Sequence, residues 1–264
     1  MPVGNTGFLP RILAIAKNAF REAVRDRILY NLIVFALLIT ASAVFLGDLT
    51  AGQEARVIVN LGLTAIRVFG TFIAIFVGIS LVSKEIEKRT VYAVFSKPVG
   101  RGEFIIGKYL GLCATLLFNV AVMGLGVTLA LVFVDGGRFL APVWAAILLI
   151  FLELAITTAV AIMFSSFSTP SLSALLTFMI FIIAHFSSSI RDLAQEVGSP
   201  AAKIVSDAVY HILPNFSHFT FSTEAANQLS PTVEMLAGAA AYSLVYSTIL
   251  ISVTVIIFSH RNFK

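Results

Sequence analysis

The chain has 264 residues, of which 58% are hydrophobic and only 12% charged, and a formal net charge of +4. A soluble domain carries about 25% charged residues. This deficit, with a mean hydropathy of +0.96, excludes an ordinary soluble protein and points to an all-α polytopic membrane protein.

The charge surplus is read by its position along the chain, as a topology signal and not as a nucleic-acid one. The single cysteine, Cys113, excludes an internal disulfide, and its apolar surroundings suit a packing role. Residues 1–9 read as a short disordered start. Residues 10–27 form a two-faced helix. Ile12, Ile15, Ala16, Ala19, Phe20 and Ala23 recur at helical spacing, opposite Arg11, Lys17, Arg21, Glu22, Arg25 and Asp26. Such a helix is expected to lie in the membrane interface, apolar strip toward the acyl chains. A span-length run follows directly, which does not fit a cleavable signal peptide.

Six spans are predicted, at about residues 28–46, 61–82, 109–134, 142–164, 171–187 and 235–258. Residues 47–60 read as a polar loop, and Asp135-Gly136-Gly137-Arg138 as a tight turn. Residues 188–231 form the longest loop. Within it, Ser199-Pro200 starts an amphipathic helix whose apolar face carries Ala201, Ile204, Val205, Ala208, Val209 and Ile212. That face is expected to lie on the membrane or to plug the outer vestibule. Gly124, Gly126, Gly238, Ala239 and Ala240 suit close helix packing.

Six spans place both termini on one side. Of the 18 Lys and Arg residues, 13 fall on that side or in residues 83–108, against Arg56, Arg138, Arg191 and Lys203 on the other. The richer side is expected to be cytoplasmic, so the 188–231 loop faces outward. With no convincing internal repeat, residues 1–264 read as one membrane domain.

Residues 83–108, SKEIEKRTVYAVFSKPVGRGEFIIGK, are the strongly charged insert between two apolar runs. Residues 83–96 favour helix, with Glu85 and Arg89 spaced for an ion pair. Pro98 stops that helix, residues 99–102 turn, and Glu103 opens the next helix, where a carboxylate suits the positive end of the dipole. Glu85-x-Glu87-Lys88-Arg89-Thr90, then Ser96-Lys97-Pro98-Val99-x-Arg101-x-Glu103-Phe104 and Gly107-Lys108-Tyr109-Leu110-Gly111, resembles the cytoplasmic loop of type-2 ATP-binding-cassette (ABC) permeases, closest to the NosY-like branch. Leu213-Pro214-Asn215-Phe216 before the last span fits the same plan. Many relatives carry glycine where this chain has Arg89.

The resemblance implies the membrane subunit of an ABC exporter in a bacterial inner membrane, with both termini cytoplasmic. It implies pairing with a second copy or a related permease, and docking of a separate ABC ATPase subunit. That subunit would bring ATP and magnesium; this chain would bind no cofactor and catalyse no reaction. The docking residues would be Glu85, Glu87, Arg89, Thr90, Phe95, Pro98, Val99, Arg101 and Glu103. The insert can otherwise be a solvated loop. Two further readings stay open: a secondary transporter driven by an ion gradient, and a scaffold or mechanotransmission subunit through which nothing crosses.

Arg67 and Glu153 are the two charges inside the predicted spans, and intramembrane charges are functional candidates. They can pair across the bundle or line a path; Arg67, nearer its span's outer end, can also snorkel. Gly102 to Tyr109 nearly matches a nucleotide-binding loop, but Tyr109 stands where Ser or Thr would hold magnesium. His185, His211, His218 and His260 lack ligand spacing. Asn215-Phe216-Ser217 matches a glycosylation sequon by a motif common by chance.

Overall fold

In a computed structural model, residues 8–25, 27–48, 50, 52–87, 100–197 and 199–260 are described. Every regular element among them is helical: α1 (Phe8–Val24), α2 (Arg27–Asp48), α3 (Glu54–Glu87), α4 (Arg101–Phe133), a 3-10 turn (Gly137–Phe139), α5 (Leu140–Ser165), α6 (Pro170–Val197), α7 (Pro200–Ile212), a second 3-10 turn (Phe216–Phe219), α8 (Ser222–Ala226) and α9 (Val233–His260). The all-α polytopic expectation holds.

Five described stretches are long and apolar enough to cross a bilayer: Glu54–Ser83, Arg101–Phe133, Gly137–Ser165, Pro170–Val197 and Val233–His260. The first predicted span corresponds to α2, whose described apolar stretch, Leu32–Gly47, is shorter. As a helix α2 has 22 residues, roughly 33 Å at 1.5 Å per residue, which matches a hydrocarbon core of about 30 Å.

α5 is the central post. Most of its side chains are buried, and α3, α4, α6 and α9 all pack on it. α3 comes close because Gly70 faces it: a Cβ there would stand 2.5 Å from Leu154 Cδ1. Gly124 of α4 meets Ile147 in the same way, but among the described residues nothing lies within 4 Å of a would-be Cβ on Gly238.

The helix boundaries differ from the predicted ones for a physical reason. α3 begins at Glu54, inside the expected 47–60 loop, and α6 runs on to Val197, inside the expected 188–231 loop. Hydropathy marks where side chains leave the hydrocarbon; backbone hydrogen bonding continues beyond it. The turn after α4 forms as expected: Asp135 takes φ 55°, a left-handed conformation that aspartate tolerates, and Gly136 N–H donates to Leu131 O at 2.8 Å.

α1 does not lie with its whole apolar strip in the acyl boundary. Ile12, Ala19 and Ala23 are buried, and the helix packs along the start of α4. Gly107 and Gly111 make the seat: a Cβ on Gly111 would stand 2.5 Å from the Ala16 carbonyl oxygen. Of its large apolar side chains, Phe8, Leu9 and Leu13 stay exposed as a fringe. α7 turns its apolar residues Ile204, Val205 and Ile212 outward, each more than 60% exposed. On the single chain that face is therefore open. α7 hangs instead on α6, where Arg191 Nε donates to Asp207 Oδ1 at 2.9 Å and the guanidinium covers the Tyr210 ring at 4.5 Å.

The element that does enter the bundle is the 3-10 turn Phe216–Phe219. Phe216 and Phe219 are essentially inaccessible. Asn215 holds the turn, its Oδ1 accepting from Ser217 N–H at 3.0 Å and Ser217 Oγ at 2.7 Å, while its own N–H donates to Tyr242 Oη. The sequon asparagine thus caps a buried turn.

Candidate functional site: a buried polar centre

α3, α5 and α6 each bring one ionisable side chain to a common point near the middle of the helix. Arg67 Nε stands 3.5 Å from Glu153 Oε2, and His185 Nε2 stands 3.5 Å from Glu153 Oε1. The Glu153 side chain is fully buried, Arg67 is 17% exposed and His185 21%. Arg67 Nη2 also donates to the Phe219 carbonyl at 3.4 Å, tying the inserted 3-10 turn to the centre. On the other side, His185 Nδ1 faces the Phe181 carbonyl at 3.3 Å, and its ring packs on Phe181 and edge-on to Phe216.

These contacts are close in charge terms and loose in hydrogen-bond terms. Arg67 Nε, both Glu153 oxygens and His185 Nε2 are buried and have no partner in hydrogen-bonding geometry. A carboxylate in that state is held by charge attraction and enclosure more than by directed bonds. The local backbone supports the centre. Thr71 Oγ1 donates to Arg67 O at 2.8 Å and Thr157 Oγ1 to Glu153 O at 3.0 Å, each within its own helix.

The sequence singled out Arg67 and Glu153, and the structure brings them together. Arg67 sits near the midpoint of α3 and points at Glu153. His185 was grouped with the scattered histidines, and is in fact the third member. Asn119 went unremarked; it is fully buried in α4 with neither side-chain polar atom bonded.

Among the docking candidates, Arg89, Thr90, Phe95, Pro98 and Val99 lie outside the described residues, as do the side chains of Glu85 and Glu87. Arg101 and Glu103 are described, and both have contacts within the chain. Arg101 Nη1 donates to the carbonyls of Ser259 at 2.5 Å and Phe258 at 3.3 Å, where α9 ends. Glu103 accepts from Gly100 N–H at 2.9 Å, closing the first turn of α4, and lies 3.9 Å from Arg11 of α1. Arg101 and Gly102 belong to that first helical turn, not to the preceding bend as the sequence suggested, because Glu103 bonds back to Gly100 and the helix starts two residues earlier. Lys108 is buried beside Glu22, 3.3 Å away, and over the Phe104 ring.

The segment Gly102 to Tyr109 is continuous helix, so from Phe104 onward its amides are spent on helical bonds and not arranged as a loop. Among the described residues no group of three His, Cys, Asp or Glu side chains is placed to hold a metal.

A family model described as ABC-2 family transporter protein matches residues 13–263. No curated protein matches the chain.

Proposed function

The chain belongs to the ABC-2 transporter family, and from that premise we propose that it is the permease subunit of an export-type transporter coupled to a separate ATPase. It is a multi-pass membrane protein and a membrane component of an ABC transporter. In the proposed arrangement it lies in a bacterial inner membrane with both termini cytoplasmic. It forms half of a translocation path with a second copy or a related permease. The single observation that carries the reading is the family match, which spans nearly the whole chain.

The charged insert is the proposed ATPase docking element. It joins the ends of α3 and α4, and α1 is packed against the first turns of α4. A push on the insert would therefore be delivered to two spans and to the interfacial helix together. Co-purification tests this: Glu85→Lys with Glu87→Lys is expected to abolish capture of the ATPase while membrane insertion continues. Unchanged capture removes the docking assignment.

The buried Glu153 beside His185 favours one second reading, a carrier driven by an ion gradient. Proteoliposomes separate the two. The proposed permease is active only with the ATPase and ATP, whereas gradient-driven activity of this chain alone establishes the carrier.

A further inference from the structure

α5 also walls a cavity on its other face. Opposite Glu153, the side chains of Phe151, Leu152 and Ala155 wall this cavity of about 550 Å³, shared with α4 and α9. That volume is within the ~300–1,000 Å³ typical of small-molecule sites. The cavity lies within the spans, and Leu110 and Leu244 at its rim are exposed. It therefore opens sideways, toward acyl chains.

The lining is apolar except along one line. Ser243, Ser247, Thr248 and Ser252 of α9 face Tyr109 and Cys113 of α4. Most of these groups are already satisfied: Ser243 Oγ donates to Leu152 O at 2.9 Å, and Thr248 and Ser252 bond back to their own helix. Ser247 is the exception. Its side chain is 4% exposed and its hydroxyl bonds no backbone carbonyl; its neighbour is the Tyr109 phenol, and two hydroxyls facing each other still leave one O–H hydrogen without an acceptor. A buried hydroxyl without a partner costs free energy inside hydrocarbon. An occupant that offers one acceptor on an otherwise apolar body would relieve that cost.

We propose that this cavity binds a bilayer amphiphile, an acyl chain that presents its carboxyl or ester carbonyl to Ser247 and Tyr109. The chain fills the space between Phe151, Ala155 and Leu244, and the carbonyl accepts from the two hydroxyls. The site requires neither the ATPase nor transport, so it stands or falls separately from the permease assignment.

The test uses the full chain in phosphatidylcholine vesicles doped with a diazirine-bearing palmitate. After illumination and digestion, adducts are expected on the peptides holding Tyr109–Cys113 and Ser243–Ser252, saturable and competed by unlabelled palmitate. Ser247→Ala is expected to weaken labelling about three- to tenfold, the size of one lost hydrogen bond. Ala240→Phe, at an exposed rim position, fills the cavity and is expected to abolish labelling while the protein keeps its melting temperature. Labelling that is unsaturable and spread over the lipid-facing helices overturns the proposal, as does labelling untouched by Ala240→Phe. A disulfide-linked dimer formed through Leu244→Cys in a Cys113→Ser background, with the probe excluded, also overturns it by making a second copy the occupant.

Discussion

Replacing Arg67 with methionine isolates the polar centre, because methionine keeps an unbranched apolar stem and removes the charge. At the observed 3.5 Å and an effective dielectric constant of about 20, the gross attraction to Glu153 is roughly 5 kcal/mol. Removing one partner of a buried pair costs about 3–5 kcal/mol, since the other charge stays buried without compensation. His185, 3.5 Å from the other carboxylate oxygen, offers partial relief and places the expected loss near the lower end, about 3 kcal/mol. Glu153→Leu should cost less. The stranded cation is then Arg67, which is partly exposed and keeps the Phe219 carbonyl. The double variant, Arg67→Met with Glu153→Leu, removes both charges and should lie within about 1 kcal/mol of the parent, because apolar replacement of a buried pair is often neutral. Denaturant titration in mixed micelles measures all four proteins as a double-mutant cycle. If the two single losses simply add in the double variant, the pair is not coupled and the centre does not exist as described.

Two further outcomes follow from packing. Gly111→Ala drives a methyl group into the Ala16 backbone, which cannot swing aside as a side-chain tip can; it should cost about 1–3 kcal/mol and expose residues 8–25 to protease. Asn119→Leu removes two buried, unbonded polar atoms and keeps the branching of the side chain with bulkier tips, and should raise stability by about 1 kcal/mol, read as a higher melting temperature in detergent.

The spans and the two-faced N-terminal helix were legible because hydropathy and helical spacing are properties of the chain itself. Arg67 and Glu153 were legible for a related reason: a charge inside an apolar run is conspicuous. His185 was not, since histidine adds no formal charge and the predicted fifth span ended just beyond it, at residue 187. Only the extension of α6 to Val197 places it at mid-helix. The Phe219 carbonyl was invisible in principle, because every residue has one and only the path of the chain decides which is reached. The seat of α1 was half legible. Gly107 and Gly111 were read as motif residues, but that they admit another helix appears only when the neighbour's backbone is beside them. The cavity on α5 had no sequence signal, because scattered Ser and Thr in spans usually bond within their own helix, as Thr248 and Ser252 do.

The polar centre also sets which parts of the bundle can move separately. Lipid tails are as apolar as leucine, so membrane helices gain little from burying apolar faces on one another, and small packing or polar terms decide their register. α3, α5, α6 and the Phe216–Phe219 turn meet at one carboxylate. A shift of α5 by one turn, about 5.4 Å, would carry Glu153 beyond reach of both Arg67 and His185 and leave it uncompensated. These elements therefore move together or meet a cost of several kcal/mol. α9 joins the same group through that turn: Tyr242 Oη accepts from Asn215 N–H, Ser243 Oγ donates to the Leu152 carbonyl of α5, and its other end is held by Arg101 of α4.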